Sequence, residues 1–270
     1  EVTVLQLVKT VEESLKGTEN RNKPKLTIYY NLLRQGLLFC GISTFYKYAK
    51  FYDKRQVLVK YEKPIHNFRA SQPFEYLHID TTKVYTEHEG WLRVVFVKDN
   101  YSKSLLYKTI VPNAGSIHIR KILHNTFAQY DLYSRTMPIQ VVCDDGTENK
   151  GEVTTWLNLL KKKNVVRVIA QKDSNISNNM VESCNSQFKN VYMPTKKLPQ
   201  GKADLFEYID EFEKWYNNDW KPGEFYGYSP IEIQQGEIPD RYLFKEEIAK
   251  AKKLRDRKST RLNSSHSSPS

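Results

Sequence analysis

Three short stretches rich in β-branched and aromatic residues decide the fold: EYLHIDTT (75–82), WLRVVFVK (91–98) and SLLYKTIV (104–111). Turn-forming residues separate them at 87–90 and at 99–100. Runs of this length joined by short turns predict three consecutive strands of an antiparallel meander.

The pattern changes after the third predicted strand. Apolar residues at helical spacing predict helices within 119–130 and 153–160, and short apolar runs predict strands at 139–143 and 165–169. A further helix is predicted around Glu182. The order β-β-β-α-β-α-β-α indicates an α/β fold, a mixed five-stranded sheet flanked by helices, which is the ribonuclease H-like topology.

A small all-α region precedes the sheet. Two helices are predicted before residue 41, and a third begins at the N-cap Ser43. In that third helix the spacing buries Phe45 and Ala49 and turns Lys47 and Lys50 outward. Residues 1–52 therefore resemble a helix-turn-helix DNA-binding region, and a plain three-helix bundle is the alternative.

Composition shifts divide the rest of the chain. Residues 53–73 are interpreted as a linker, 74–233 as the catalytic core and 234–257 as a basic extension. The Ser-rich tail 258–270 is expected to be disordered and resembles read-through into cloning sequence. A first residue other than Met is expected of a fragment or a processed product.

Charge is unevenly distributed along the chain. The formal net charge is +11, from 42 Lys and Arg against 31 Asp and Glu. Residues 1–70 carry +7 and residues 245–270 carry +5, whereas residues 71–244 carry −1. Basic flanks around a near-neutral centre favour a polyanionic partner, and the alternative is that they only keep the chain soluble.

Three cysteines, Cys40, Cys143 and Cys184, form neither a pair nor a Cys-x-x-Cys motif. This argues against a disulfide framework and a structural zinc site, and it favours a reducing compartment. The sequence has neither a run of about 18 apolar residues nor a signal-peptide pattern. A cytoplasmic protein with no membrane partner is therefore expected.

Three acids occupy unusual places in the predicted fold. Asp80 lies inside the first strand, Asp144 ends the fourth strand, and Glu182 shares a helix face with Asn178, Asn185 and Lys189. Taken alone, each acid has an ordinary structural explanation. Asp80 could be an internal hydrogen-bonding group, Asp144 part of a tight turn, and Glu182 a solvated helix residue. Together they would meet at one edge of such a sheet as an all-oxygen cluster, which suits two Mg²⁺ or Mn²⁺ ions in phosphoryl transfer.

From about Phe74 to Ile233 the chain resembles the catalytic core of DDE-class enzymes, the retroviral integrases and bacterial insertion-sequence transposases. HIDTT (78–82), CDDGTE (143–148) and NNMVESCNSQFK (178–189) resemble the motifs that carry the three acids. The segment WYNN (215–218) with GYSPIE (227–232) is similar to the end of the bacterial cores and favours the transposase branch.

The resemblance implies a ribonuclease H-like transposase or integrase that cleaves and joins DNA strands at element ends. Asp80, Asp144 and Glu182 would bind two Mg²⁺ or Mn²⁺ ions and be catalytic. Lys189 and Asn178 would contact DNA, together with Lys47 and Lys50 of the basic flank. The implied partners are double-stranded DNA, as terminal repeats and target, and further copies of the chain, in the bacterial cytosol near the nucleoid.

The chain departs from the family pattern in two respects. The interval between Asp144 and Glu182, 37 residues, is slightly longer than usual, and the paired His and Cys of the viral zinc module are absent. Two other functions remain open: a catalytically inactive or domesticated DNA-binding protein with the same fold, and a nuclease that cuts RNA–DNA hybrids. The acids argue against the first, and the helix-turn-helix-like region argues against the second.

Overall fold

A computed structural model of the chain describes residues 4–17, 20, 23–52, 69–113, 115–161, 164–170 and 178–265. Five strands and nine α-helices lie within these ranges. In chain order they are α1 (Val4–Lys16), α2 (Lys25–Arg34), α3 (Ile42–Tyr52), β1 (Tyr76–Thr86), β2 (Gly90–Asp99), β3 (Leu105–Val111), α4 (Ser116–Gln129), β4 (Ile139–Cys143), α5 (Glu152–Leu160), β5 (Val165–Ile169), α6 (Asn179–Gln187), α7 (Lys202–Lys214), α8 (Pro230–Gln234) and α9 (Lys245–Ser265).

The five strands form one mixed sheet in the order β3-β2-β1-β4-β5. The pairs β1/β2 and β2/β3 are antiparallel, and the pairs β1/β4 and β4/β5 are parallel. This confirms the ribonuclease H-like fold predicted from the order of elements. Strand β1 extends beyond the predicted boundary at 82 because its hairpin with β2 stays paired as far as Thr86 and Gly90.

Two helical layers cover the sheet. On one face, α4 and α5 bury a mostly aliphatic cluster, and on the other α6 and α7 bury a cluster rich in aromatic rings. Alternate residues of β1 supply the two clusters, because side chains along a strand point to opposite faces. Each fully buried aliphatic or aromatic side chain contributes about 1.5–3 kcal/mol. Members of the first cluster include Leu77, Ile79, Val95, Val97, Leu123, Phe127, Val153 and Leu157, and members of the second include Val84, Val94, Phe96, Val181, Cys184, Phe188, Leu205, Ile209 and Phe212.

The chain divides into two compact units. One comprises 62–220 and 230–237 and contains the sheet; the other comprises 1–61, 221–229 and 238–270 and contains α1 to α3. The second unit has its own core of buried side chains from α1, α2 and α3, against which Phe244 packs. Its core includes Leu7, Val11, Ile28, Tyr29, Leu33, Phe45 and Ala49.

The boundaries of the helical unit differ from the predicted domains. The segment 221–229, predicted to belong to the catalytic core, clusters with α2, where Thr27 Oγ1 donates to the Lys221 carbonyl oxygen at 3.4 Å. A Cβ atom at Gly223 would come within 2.5 Å of Leu26, so this segment approaches α2 closely. Helix α3 begins at Ile42, and the Phe45 amide donates to the Gly41 carbonyl, so Ser43 is inside the helix rather than its N-cap.

The ends of the predicted domains fall partly outside the described residues. Most of the predicted linker, at 53–68, lies outside them, and so do 266–270 of the predicted tail. The structure departs from the predicted disorder up to Ser265, because α9 begins at Lys245 and continues that far. Lys, Ala, Leu and Arg, which are good helix formers, make up much of this helix. Within the described ranges, the structure contains no helix that is both long and apolar enough to cross a membrane.

Candidate active site

Strand β1 carries the first acid on the face that α6 covers. Asp80 pairs with Phe96 in the register of β1 and β2, so it shares this face with Val84 and Phe96 of the aromatic cluster. The carboxylate is partly buried and accepts two hydrogen bonds. The Thr81 amide donates to Oδ1 at 2.8 Å, and Asn185 Nδ2 donates to Oδ2 at 2.7 Å. The strand and the helix therefore fix its orientation together.

The end of β4 presents two consecutive acids with different partners. Asn149 donates through Nδ2 to the Asp144 carboxylate at 2.5 Å and to its carbonyl oxygen at 3.2 Å. Asp145 instead forms an exposed ion pair with Lys150, at 3.1 Å between Oδ1 and Nζ. The turn after β4 therefore separates the two carboxylates, and Asp144 is the one whose charge interacts with Asp80.

The third acid lies in the first turn of α6. Val181, Cys184 and Phe188 are fully buried against the sheet, whereas Glu182 is exposed. An acid in this position also interacts favourably with the positive end of the helix dipole.

The three acids interact electrostatically. Burial, together with the charges of Asp144 and Glu182, raises the pKa of Asp80 to about 6, and the hydrogen bonds from the Thr81 amide and Asn185 act in the opposite direction. At neutral pH the Asp80 carboxylate is still mostly ionised. Three elements distant in sequence therefore bring negative charges together near the centre of β1.

The three acids interact through their charges, but they do not form a closed set of metal ligands. In the described part of the chain, no three His, Cys, Asp or Glu side chains are grouped so that they could hold a metal ion. The donors are nevertheless all oxygen atoms, which suit hard divalent cations. The mutual repulsion that contributes to the raised pKa of Asp80 is a cost that a cation would relieve. The residues therefore fit a divalent cation in their chemistry, without forming a preassembled cluster.

No protein-family model and no curated protein matches the chain. Among solved structures, the HTLV-2 integrase catalytic core in complex with magnesium aligns over 61% of this chain and 99% of its own, with 13% identity and a TM-score of 0.45. A simian T-cell lymphotropic virus intasome, in complex with the PP2A regulatory subunit B56 gamma, covers 75% of this chain and 66% of its own, at 11% identity and a TM-score of 0.48.

The BIV integrase catalytic core covers 59% of this chain and 93% of its own, at 15% identity and a TM-score of 0.40. These similarities to retroviral integrase cores concern overall shape at low identity. The assignment of the fold in this chain rests on its own strand order and pairing directions.

The lysines predicted to bind DNA are exposed. Lys189 lies in a π-helical segment, Phe188–Tyr192, that continues α6. In the helical unit, Lys47 and Lys50 are exposed on α3, whereas Phe45 and Ala49 are fully buried. The predicted orientation of the α3 side chains is confirmed, and their contact with DNA stays a prediction.

Asn178, which the sequence predicts to contact DNA, is buried in the structure. It is only 5% exposed, and its side chain is bonded within the protein. Its Oδ1 lies 3.2 Å from His78 Nδ1, and its Nδ2 donates to the Ile79 carbonyl oxygen at 3.2 Å. Since both ends of the amide are engaged with β1, Asn178 connects α6 to the sheet rather than presenting a group to DNA.

Three residues of the site carry no assigned role in the sequence prediction. Asn185 orients Asp80, and Asn149 orients Asp144. The position of Asn185 on the polar face of the Glu182 helix was visible in the sequence, but its bond to β1 was not. Lys98 is fully buried beside the same helix, and nothing in the alternating pattern of β2 distinguishes it from an exposed strand lysine.

Proposed function

We propose that the protein is a metal-dependent DNA strand transferase of the transposase or integrase type, which cleaves DNA strands at element ends and joins them to target DNA. One observation carries this proposal: Asp80, Asp144 and Glu182, from three separate elements, interact through their charges at one site on the sheet. Such an oxygen-rich, negatively charged site suits phosphoryl transfer with divalent cations.

In this proposal the three carboxylates would hold two Mg²⁺ or Mn²⁺ ions. When bound, such ions activate water or a DNA 3′-hydroxyl for in-line attack and neutralise the charge that develops on the phosphate. The protein's own groups hold the carboxylates in place. Asn185 and the Thr81 amide fix both oxygens of Asp80, and Asn149 fixes one oxygen of Asp144.

The proposed partner is double-stranded DNA, both terminal repeats and target, bound by a homo-oligomer. The net charge of +7 on residues 1–70 and the exposed Lys47 and Lys50 support phosphate contacts by the helical unit, in a helix-turn-helix-like arrangement. Exposed Lys189, seven residues after Glu182 and close to the site in sequence, supports a backbone contact near the reacting phosphate.

The decisive test is a pair of matched substitutions at adjacent positions. Asp144→Asn is expected to reduce Mn²⁺-dependent nicking of supercoiled plasmid DNA by at least about 100-fold, because it removes a proposed ligand. Asp145→Asn removes an exposed ion pair and is expected to change the rate less than about threefold. Equal activity of the Asp144→Asn variant and the wild-type protein would overturn the assignment.

A binding experiment tests the helical unit separately. The double substitution Lys47→Gln and Lys50→Gln is expected to lower affinity for duplex DNA and to reduce the slope of log K against log salt by about 2, one unit for each lost phosphate contact. Fluorescence anisotropy over a salt series measures both. An unchanged slope would show that α3 does not contact the DNA backbone.

One observation favours a second function, a catalytically inactive DNA-binding protein with the same fold. The described residues contain no group of three potential ligands close enough to hold a metal. In that case the wild-type protein would bind duplex DNA with a salt-dependent affinity but would neither nick plasmid DNA nor bind Mn²⁺. Calorimetric titration of the wild-type protein with Mn²⁺ separates the two functions without a DNA substrate.

A further inference from the structure

A buried lysine contacts the beginning of the Glu182 helix. Lys98 of β2 is fully buried, and its Nζ donates to the Met180 carbonyl oxygen at 3.0 Å, in the first turn of α6. The Nζ atom also lies 5.1 Å from the ring centroid of Tyr216 and 5.7 Å from that of Trp220. Burial lowers the pKa of Lys98 to about 8, so the amine is still mostly protonated at neutral pH.

A second buried bond reaches the same turn from the adjacent strand. His78 pairs directly with Lys98 in the register of β1 and β2, so both side chains lie on the face that α6 covers. Asn100 Nδ2 lies 2.9 Å from His78 Nε2, and His78 Nδ1 lies 3.2 Å from Asn178 Oδ1. Since the amide of Asn100 donates to Nε2, the hydrogen of the neutral imidazole is on Nδ1 and points to Asn178.

The Asn100 end of this chain of bonds is held in turn. Its Oδ1 accepts from the Ala70 amide at 2.8 Å. At the other end, Asn178 Nδ2 donates to the Ile79 carbonyl oxygen, one residue before Asp80. The network therefore joins the start of α6 to the part of β1 that carries the first acid, and its buried side-chain amide and imidazole groups are hydrogen-bonded.

Helix α6 and the π-helical segment that continues it are held against the sheet mainly by apolar side chains. Apart from Asn185, the buried residues of this run are Val181, Cys184 and Phe188. Apolar contacts of this kind are non-directional and tolerate sliding or rotation of the helix, whereas hydrogen bonds restrict both.

We propose that Lys98 and His78 are positioning residues that fix the first turn of α6, and with it Glu182, relative to Asp80. This inference rests on the proposed function, because the position of Glu182 relative to Asp80 affects activity only if both carboxylates bind the metal ions. Neither residue touches reacting groups. Lys98 acts through the Met180 carbonyl, two residues before Glu182, and His78 acts through Asn178, four residues before it.

The test uses Lys98→Met in the full chain. Methionine fills much of the same space but cannot donate to the Met180 carbonyl. Hydrogen exchange of the amides in 179–187 is expected to rise at least about tenfold, with exchange in α4 unchanged. Calorimetric affinity for Mn²⁺ is expected to fall about 10- to 100-fold, the usual effect of removing a group that orients metal ligands.

Two further variants make the result specific. Lys98→Gln keeps a shorter donor and is expected to fall between the wild-type protein and Lys98→Met in both measurements. Lys108→Met is the matched control, because Lys108 lies on β3 on the same face of the sheet but pairs with Asp210 and Glu213 of α7. It should leave α6 exchange and Mn²⁺ affinity at wild-type values.

The outcomes separate this inference from the proposed function. The positioning role would be overturned if the α6 amides of Lys98→Met exchanged at the wild-type rate. It would also be overturned if Lys108→Met raised α6 exchange as much as Lys98→Met does. If Lys98→Met raised α6 exchange but left Mn²⁺ affinity unchanged, Lys98 would be structural only, and the role assigned to it would again be wrong. Absence of Mn²⁺ binding by the wild-type protein would instead overturn the proposed function, and a rise of α6 exchange in Lys98→Met would then show only that Lys98 anchors the helix.

Discussion

The two faces of the sheet are packed differently. Under α4 and α5 the cluster is mainly aliphatic, with side chains such as Leu123 and Val153, whereas under α6 and α7 aromatic rings lie beside the buried polar groups of Lys98, His78 and Asn217. Apolar burial determines that a helix packs on a sheet, and directional bonds determine where along the sheet it stops. The fully buried directional bonds of Lys98 and His78 lie on the face that carries Asp80 and that α6 covers.

The largest expected effect comes from removing a shared aromatic contact. Phe96 is fully buried, and its ring lies 5.5 Å from that of Phe188 and 5.8 Å from that of Phe212. Phe96→Ala is expected to lower the free energy of unfolding by about 3–5 kcal/mol, because the cavity separates both helices from the sheet. Urea denaturation measures this loss.

Leu123→Ala on the opposite face is the control for Phe96→Ala. It is expected to cost about 2–5 kcal/mol of unfolding free energy as well. In both variants the lower global stability speeds the hydrogen exchange of all amides. Only in Phe96→Ala should the α6 amides exchange faster than this loss of global stability explains. The same local excess in Leu123→Ala would show that the two faces are one cooperative unit, and the distinction between them would fail.

The next effect tests the cost of the buried charge on the polar face. The folded-state pKa of Lys98 is about 8, below its ordinary value of 10.5, so between these pH values the unfolded chain holds a proton that the folded protein has lost. The contribution of Lys98 to stability therefore rises with pH in this window, by at most about 3 kcal/mol. Lys98→Met should lack this rise.

Denaturation of both proteins at intervals from pH 7 to pH 10.5 checks this prediction. The difference in unfolding free energy, Lys98→Met minus wild-type, is expected to be largest near pH 7 and to shrink as the pH increases. Burial raises the pKa of Tyr216, and it raises that of Cys184 to about 12 although the Lys98 charge acts against this, so both groups stay protonated in the folded proteins over this range and their contributions cancel in the difference. A difference independent of pH would show that Lys98 is not buried as a cation.

Hydrophobic periodicity was sufficient to predict most of the fold. The meander over 75–111 and the alternation of helices and strands after it follow from spacing and turn residues alone, and the sheet confirms them. The same patterns predicted that Phe45 and Ala49 of α3 are buried, and both are. Local patterns worked here because each element buries a regular stripe of side chains.

The parts of the site that were not predicted depend on contacts between distant residues. Asn178 and Asn185 both read as polar positions on one helix, yet the first is bonded to His78 and the second to Asp80. Lys98 reads as an ordinary strand lysine, and only the packing of α6 and of the rings of Tyr216 and Trp220 makes it buried. Such roles appear only when the helix is placed on the sheet.

A smaller effect is expected from the hydrogen-bonded chain at the start of α6. His78→Leu removes the imidazole, which is 1% exposed, and leaves buried groups of Asn178 and Asn100 without their partner. The expected loss of stability is about 1–3 kcal/mol, the cost of leaving a buried polar group unsatisfied. A double-mutant cycle with Asn178→Ala measures the part of this loss that is due to the bond between His78 and Asn178. A coupling energy of zero would show that this bond does not help to hold the start of α6.

The smallest effect is expected from the second lysine on the polar face. Lys108 lies at the edge of the α7 contact, with Nζ 2.9 Å from Asp210 Oδ1 and also paired with Glu213, and all three side chains retain solvent exposure. Lys108→Met is expected to cost less than about 1 kcal/mol of unfolding free energy, because solvent screens such pairs and the loss of ordered side chains offsets them. Because the ion pairs raise the pKa of Lys108, its charge is kept across this range, so the difference in stability between Lys108→Met and the wild-type protein should change less between pH 8 and 10.5 than the difference between Lys98→Met and the wild-type protein. A loss of unfolding free energy as large as that from His78→Leu would mean that partly exposed ion pairs, and not only buried bonds, hold the helices on this face. The difference between Lys98 and Lys108 would then not depend on their burial.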